Sequence, residues 1–147
     1  MLTIGDQIPA FSVADQDGNT VTHEQLIGKK TVIYFYPKDN TSGCTAEACS
    51  LRDNYSQLKS LGYSIVGVSV DNAASHLKFI SKYELPFPLI ADIDKTLVKQ
   101  MEVWGEKSMY GRKYMGTFRT TFIIDEEGII ERILLPKEIK VKEHAKQ

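Results

Sequence analysis

Two short runs of β-branched, aromatic and aliphatic residues stand out along the chain. They are Thr31-Val32-Ile33-Tyr34-Phe35-Tyr36, ended by Pro37, and Ser64 to Val70 (SIVGVSV). Neither alternates with polar positions, so both read as strands buried on two faces at the centre of a sheet. Between them, Ala48, Leu51, Tyr55 and Leu58 recur at helical spacing, and Gly62 stops the pattern. That predicts one helix over Thr41 to Leu61 with those four residues on its inner face. Ala73 to Tyr83 predicts a second helix with Leu77 and Ile80 inward, Phe87 to Ile90 a short strand, and Asp94 to Met101 a short helix. Phe11 to Ala14 and Thr20 to Thr22 flank Asp17-Gly18-Asn19, a hairpin signal, and Phe118 to Ile124 pairs with Ile129 to Leu135 across Glu126-Glu127-Gly128. The pattern predicts an α/β fold: a central mixed β-sheet, helices on both faces and an N-terminal β-hairpin. No repeat, low-complexity tract or linker divides residues 1–147, so one domain is expected; from Lys137 onward the chain is mostly charged and lacks an apolar period.

Composition narrows the function classes. The 147 residues suffice to bury a core without disulfides or metals, and 42 % apolar with 25 % charged residues is the balance of a globular protein. A net charge of -1 gives no bias toward nucleic acid or membrane surfaces. The start, MLTIGDQIPAF, lacks the basic and apolar regions of a secretory signal, and no stretch approaches the roughly 18 apolar residues of a membrane span. A cytoplasmic protein is the expectation. Its two cysteines, Cys44 and Cys49, lie five residues apart. In a reducing compartment such a pair points to redox chemistry or metal binding before it points to a structural staple.

Cys44 has three physical advantages. It follows the carboxyl end of a central strand, where open α/β sheets place their sites. Thr41 suits an N-cap, which puts Cys44 at the third helical position, where the helix dipole and unpaired N–H groups favour thiolate. It is also in phase with Ala48, Leu51 and Tyr55, so its side chain points inward. A free thiol near pKa 8.5 is only a few per cent ionised at neutral pH, and a helix terminus supplies only about 0.3–2 kcal/mol toward changing that. A cation is wanted from elsewhere in the chain. Cys49, with Thr45, Arg52, Asp53 and Ser56 around it, lies on the polar face. On an ideal helix residues five apart have Cα atoms about 8.7 Å apart and point about 140° away from each other. A disulfide needs less than about 7 Å, so the two sulfurs cannot bond while the helix is intact. Two unrelated helix cysteines remain the plain alternative. A thioredoxin-type dithiol fits less well, since that motif has two intervening residues and this pair has four. His23, His76 and His144 are scattered, without zinc-site spacing.

The segments GDQIPAF, FYPKDNTSGCTAEAC, LRDNY, VGVSVD, SHLKF, the MYGRKYMG loop and FRTTFIID cover nearly the whole chain in order. Together they resemble the peroxiredoxins of the Q type, the bacterioferritin comigratory protein group. The spacing P-x3-T-x2-C is highly specific for peroxiredoxins, and the second cysteine five residues on picks out this type. The resemblance implies a thioredoxin-like fold and reduction of hydrogen peroxide and organic hydroperoxides without metal, haem or other cofactor. It implies that Cys44 is the peroxidatic cysteine and Cys49 the resolving one, joined as a Cys44–Cys49 disulfide that thioredoxin or a similar dithiol reduces. Thr41 matches the threonine whose hydroxyl contacts the peroxide, Pro37 the proline that shields the pocket, and Arg119 the arginine that polarises thiolate and peroxide. Arg119 is thereby the missing cation. Glu47 is a supporting candidate that bridges to Thr41 or Arg119, with a solvated helix charge as the alternative. Tyr110 and Tyr114 fall at the rim without assigned chemistry, and Trp104 reads as packing.

Two departures from the pattern matter. Ser42 stands where relatives commonly have Pro, which would stiffen the first turn. The chain ends at Gln147, where relatives continue into a C-terminal helix. A monomer is expected, with a weak dimer as the alternative. The rival from another class is a non-enzymatic redox sensor or metal-delivery module built from Cys44, Cys49 and a histidine.

Overall fold

The structure is a computed structural model, and it describes residues 2–109, 111–135 and 139. The charged tail after Lys137, the C-terminal helix of relatives, His144 and Tyr110 fall outside the described residues.

The amino-terminal hairpin forms where expected, β1 (Ser12–Ala14) pairing antiparallel with β2 (Thr20–Thr22), and a 3-10 turn follows at His23–Leu26. The first apolar run becomes β3 (Lys30–Phe35), followed by helices α1 (Ser42–Asp53) and α2 (Tyr55–Ser60). Next come β4 (Tyr63–Ser69), α3 (Ala73–Tyr83), β5 (Leu89–Ala91) and α4 (Thr96–Gln100). The chain then forms β6 (Trp104–Met109) and β7 (Arg112–Thr117), and finally β8 (Thr120–Ile124) and β9 (Ile130–Leu134).

The main sheet has the order β5-β4-β3-β8-β9. β3 runs parallel to β4, with Val32 opposite Ile65 and Phe35 opposite Val68, and antiparallel to β8, with Phe35 opposite Thr120. The sheet is therefore mixed, and both unbroken apolar runs lie inside it. Alternate residues of β3 serve two cores. Ile33 and Phe35 join Val66, Val68, Ile90 and Phe122 beneath Leu97 and Val98 of α4. Val32, Tyr34 and Tyr36 join Ile65 and Leu89 beneath Cys44, Ala48 and Leu51 of α1 and Phe79 of α3. Helices thus cover both faces. Gly67 of β4 is required by this packing: a Cβ there would lie 2.6 Å from Leu89 Cδ2 and 2.9 Å from the Tyr34 hydroxyl oxygen. Among the described residues no helix is long and apolar enough to cross a membrane.

Three local expectations need correction. The single helix over Thr41 to Leu61 is broken at Asn54, whose backbone leaves helical geometry (φ -112, ψ 10). Its side-chain Nδ2 donates to the Ser50 carbonyl at 2.9 Å, the kind of local side-chain bond that competes with a helix ladder. Tyr55 and Leu58 still pack on the inner face, from α2. Leu77 points outward at 46 % exposure, because α3 instead buries His76 and Phe79. Finally, MYGRKYMG is no loop. Met109 ends β6 and residues 112–116 make up most of β7, in a separate two-stranded sheet that turns at Gly111 (φ 79). Gly105 on β6 leaves room for Phe118, whose ring would stand 2.7 Å from a Cβ at that position.

Candidate active site

After β3 the chain passes through half-buried Pro37 and turns at Asn40, which takes left-handed geometry (φ 59). Thr41 is extended (φ -88, ψ 157) and occupies the N-cap of α1, so Cys44 is the third helical residue, as expected. The Thr41 hydroxyl does not cap the helix, however: it donates back to the Lys38 carbonyl at 3.0 Å. The first helical bond is Thr45 N–H to Thr41 O at 2.8 Å, so the amides of Ser42, Gly43 and Cys44 precede the ladder at the positive end of the helix. Cys44 is 1 % exposed and packs with Tyr34, Ala48 and Leu51. Cys49, on the same unbroken helix, is partly exposed, and both cysteines are free thiols.

The cation arrives from the strand beside β3. Because β8 is antiparallel to β3, its first residues lie at the carboxyl end of β3. Arg119, just before β8, thereby reaches α1. Its Nη2 donates to Cys44 Sγ at 3.2 Å and its Nη1 to Glu47 Oε1 at 2.6 Å. Glu47 is wholly buried and Arg119 is 18 % exposed, so the solvated-charge alternative for Glu47 is excluded. Burial drives the Glu47 carboxyl up from 4.5 to about 7, against the opposing pull of the Arg119 charge and hydrogen bond. Burial works to lower the Arg119 guanidinium as well, but Glu47 and Cys44 outweigh it and hold it above its ordinary value. Burial raises the Tyr34 hydroxyl far above its ordinary value, and Glu47 and Cys44 add to that.

Two residues were missed by sequence reasoning as site components. Gly43 sits under the guanidinium: a Cβ there would be 3.2 Å from Arg119 Nη2. Glycine in a first helical turn costs about 1 kcal/mol against alanine, which was the available signal. Lys107 of β6 donates to the Thr117 carbonyl at 3.0 Å. Burial lowers its ammonium, nearby Arg119 lowers it further, and Cys44 opposes both. Nothing in the polar β6 pattern marked it. Tyr114 is exposed at 41 %, and Trp104 packs against the core with the Lys95 ammonium 5.6 Å above its ring.

Both ring nitrogens of His76 face protein acceptors, and the His23 ring faces the Phe11 backbone. Among the described residues no three His, Cys, Asp or Glu side chains converge to hold a metal.

Comparison with known proteins finds similarity over nearly the whole chain. A model of the AhpC/TSA family matches residues 4–133. Peroxiredoxin Bcp of Escherichia coli K12 is 43 % identical over 132 residues, spanning 90 % of this chain and 85 % of the relative. The structure of a cysteine-to-serine mutant of Xylella fastidiosa PrxQ superimposes with a TM-score of 0.91 at 31 % identity, covering 99 % of this chain and 92 % of the other. A structure concerned with the alkyl peroxide reduction activity of the Xanthomonas campestris bacterioferritin comigratory protein gives a TM-score of 0.85 at 34 % identity, covering 92 % and 85 %.

Proposed function

The chain belongs to the AhpC/TSA family, as a thiol peroxidase of the peroxiredoxin Q group with a thioredoxin-like fold, and from that premise we propose that Cys44 attacks the peroxide and Cys49 resolves the product. The Cys44 thiolate attacks the distal oxygen of a hydroperoxide. An S–O bond forms, the O–O bond breaks, and the leaving hydroxide or alkoxide takes a proton from solvent. Cys49 then attacks the sulfenic sulfur, forming the disulfide and releasing water. An external dithiol, thioredoxin by expectation, reduces that disulfide by exchange and becomes a disulfide itself. Hydrogen peroxide and organic hydroperoxides are the substrates, the latter supported by the alkyl peroxide reduction activity named for the Xanthomonas campestris relative.

The observation that carries this reading is the 3.2 Å contact between Arg119 Nη2 and the sulfur of buried Cys44. A guanidinium there holds the attacking sulfur in place and stabilises negative charge on the departing oxygen. Glu47 aims the guanidinium through its 2.6 Å bond. In this reading Thr41 turns its hydroxyl from the Lys38 carbonyl to the bound peroxide, the Cys44 amide donates to the same oxygens, and Pro37 limits water. The test is peroxide-dependent NADPH oxidation in the presence of thioredoxin and its reductase. Wild-type protein is expected to turn over and Cys44→Ser to be inactive. Turnover by Cys44→Ser near the wild-type level would remove Cys44 from its role.

A further inference from the structure

The segment between β3 and α1 is tied down by a buried polar network that touches neither cysteine. Asp39 is its hub. Its Oδ1 accepts from the Tyr36 hydroxyl at 2.6 Å, its Oδ2 accepts from Ser75 Oγ at 2.7 Å, and the same Oδ2 shares a hydrogen bond with His76 Nδ1 at 2.7 Å. The Asp39 amide donates to Asp71 Oδ2 at 2.8 Å, and Asp71 is itself held by Ser69 Oγ at 2.8 Å. On its other side the His76 ring bonds the Ile90 carbonyl of β5 through Nε2 at 2.8 Å. A carbonyl can only accept, so Nε2 carries a proton. On its other edge Nδ1 lies 2.7 Å from Asp39 Oδ2, so the ring bridges the Ile90 carbonyl and the Asp39 carboxyl group. His76 is 0 % exposed and Asp39 7 %. A buried pair of this kind is weak evidence for stability, since apolar residues could fill the same space, but it fixes geometry strongly.

What it fixes is the approach to Cys44. Asp39 lies next to Lys38, whose carbonyl holds the Thr41 hydroxyl, and next to Asn40, whose Oδ1 accepts from the Tyr83 hydroxyl at 3.1 Å. Elements β4, α3 and β5 therefore converge on the residues that set where α1 begins.

We propose that His76 and Asp39 are positioning residues that hold segment 38–41 so that α1 starts at Thr41 with Cys44 beside Arg119, and that they form the fixed end from which α1 unwinds on oxidation. The inference rests on the reading of Cys44 and Cys49 as a reactive pair. The closed first turn serves the peroxide step, which needs the Arg119 contact. The opened turn serves the disulfide step, which needs Cys44 to leave its pocket. A looser anchor shifts population from closed to open, so it slows the first step and speeds the second.

The experiment is a single turnover of the full chain with hydrogen peroxide, quenched at intervals by thiol alkylation and read by intact mass as thiol, sulfenic acid and disulfide. His76→Gln keeps a donor toward the Ile90 carbonyl and loses the bond to Asp39, whereas His76→Asn keeps an amide at hydrogen-bonding reach of Asp39. His76→Gln is expected to oxidise about tenfold more slowly and to close its disulfide several-fold faster, as a shift toward the open population requires. His76→Asn is expected near wild type on both steps, and Tyr36→Phe to move both in the His76→Gln directions by less. A role confined to core filling would treat Asn and Gln alike. Equal rates for those two variants, wild-type rates in His76→Gln, or both steps slowing together would overturn the proposal. If His76→Gln does not fold, Tyr36→Phe decides, and wild-type rates there overturn it. A wild-type chain that forms neither sulfenic acid nor disulfide refutes the catalytic reading and this inference with it, whereas failure confined to the variants refutes this inference alone.

Discussion

Gly43 and Arg119 meet tightly: a Cβ on Gly43 would stand 3.2 Å from the same Nη2 that donates to Cys44 Sγ. Alanine at this position favours the helix by up to about 1 kcal/mol, so Gly43→Ala is not expected to lower stability. The guanidinium must yield by a few tenths of an ångström, which lengthens its bond to sulfur. Losing about 1 kcal/mol of that charge-assisted bond slows Cys44 oxidation by about fivefold. Stopped-flow oxidation and urea unfolding of the same variant check this, and an unchanged oxidation rate would remove the steric argument.

Glu47 makes stability depend on pH. Its carboxyl moves from 4.5 to about 7 on folding, so the folded protein binds the extra proton between those values. For a raised carboxyl the contribution is fully present below pH 4.5 and is lost as pH rises through 7. Two and a half units at about 1.4 kcal/mol each give a loss of about 3 kcal/mol. Urea unfolding of wild type and Glu47→Gln across pH 4.5 to 8 should therefore show wild type losing ground to the variant by that order. A constant difference between the two proteins would show that Arg119 cancels the burial effect.

Removing the second thiol separates the two chemical steps. Cys49→Ser is expected to consume one equivalent of peroxide, stall as the Cys44 sulfenic acid and drift to sulfinic acid under excess peroxide. Intact-mass spectra check this without interference from external thiols. The absence of any oxygen adduct counts against Cys44 as the attacking group.

The disulfide form must lose helix. Cys44 and Cys49 share the unbroken helix Ser42–Asp53, on which ideal geometry keeps residues five apart beyond bonding reach, at about 8.7 Å between Cα atoms. Several helical hydrogen bonds are given up, each worth about 0.5–1.5 kcal/mol net. Ser42 in place of a stiffening proline lowers that cost. Amides of 42–53 are expected to exchange faster in the oxidised protein, with the break at Asn54 as the far limit, while Lys30–Phe35 and Tyr63–Ser69 stay protected. Equal protection of α1 in both redox states is the outcome that defeats this account.

How much of this was legible beforehand depends on range. The buried strands at 30–35 and 63–69 followed from unbroken apolar runs, and the phase of Cys44 with Ala48 and Leu51 followed from helical spacing. Thr41 at the N-cap followed from its residue type and position. The hairpin Trp104–Met109 with Arg112–Thr117 went unseen because it is mostly polar and largely exposed, so no apolar period announces it. His76 went unseen for the opposite reason. A leucine is the better guess for a helix interior, unless a carboxylate waits 37 residues away to satisfy a buried imidazole.

The sequence by itself determined the layered α/β architecture, the place of Cys44 at a helix start and the opposed faces of the two cysteines. These depend on contacts within a few residues and on periodic burial, which local order encodes. Only the tertiary structure decided that Arg119 reaches sulfur across 75 positions, that Glu47 is buried beneath it, and that Asp39 and His76 clamp the approach. A charge is buried only when its partner is delivered to it, and delivery depends on the antiparallel pairing of β8 with β3 and the packing of α3 on the sheet, which no short stretch of chain contains.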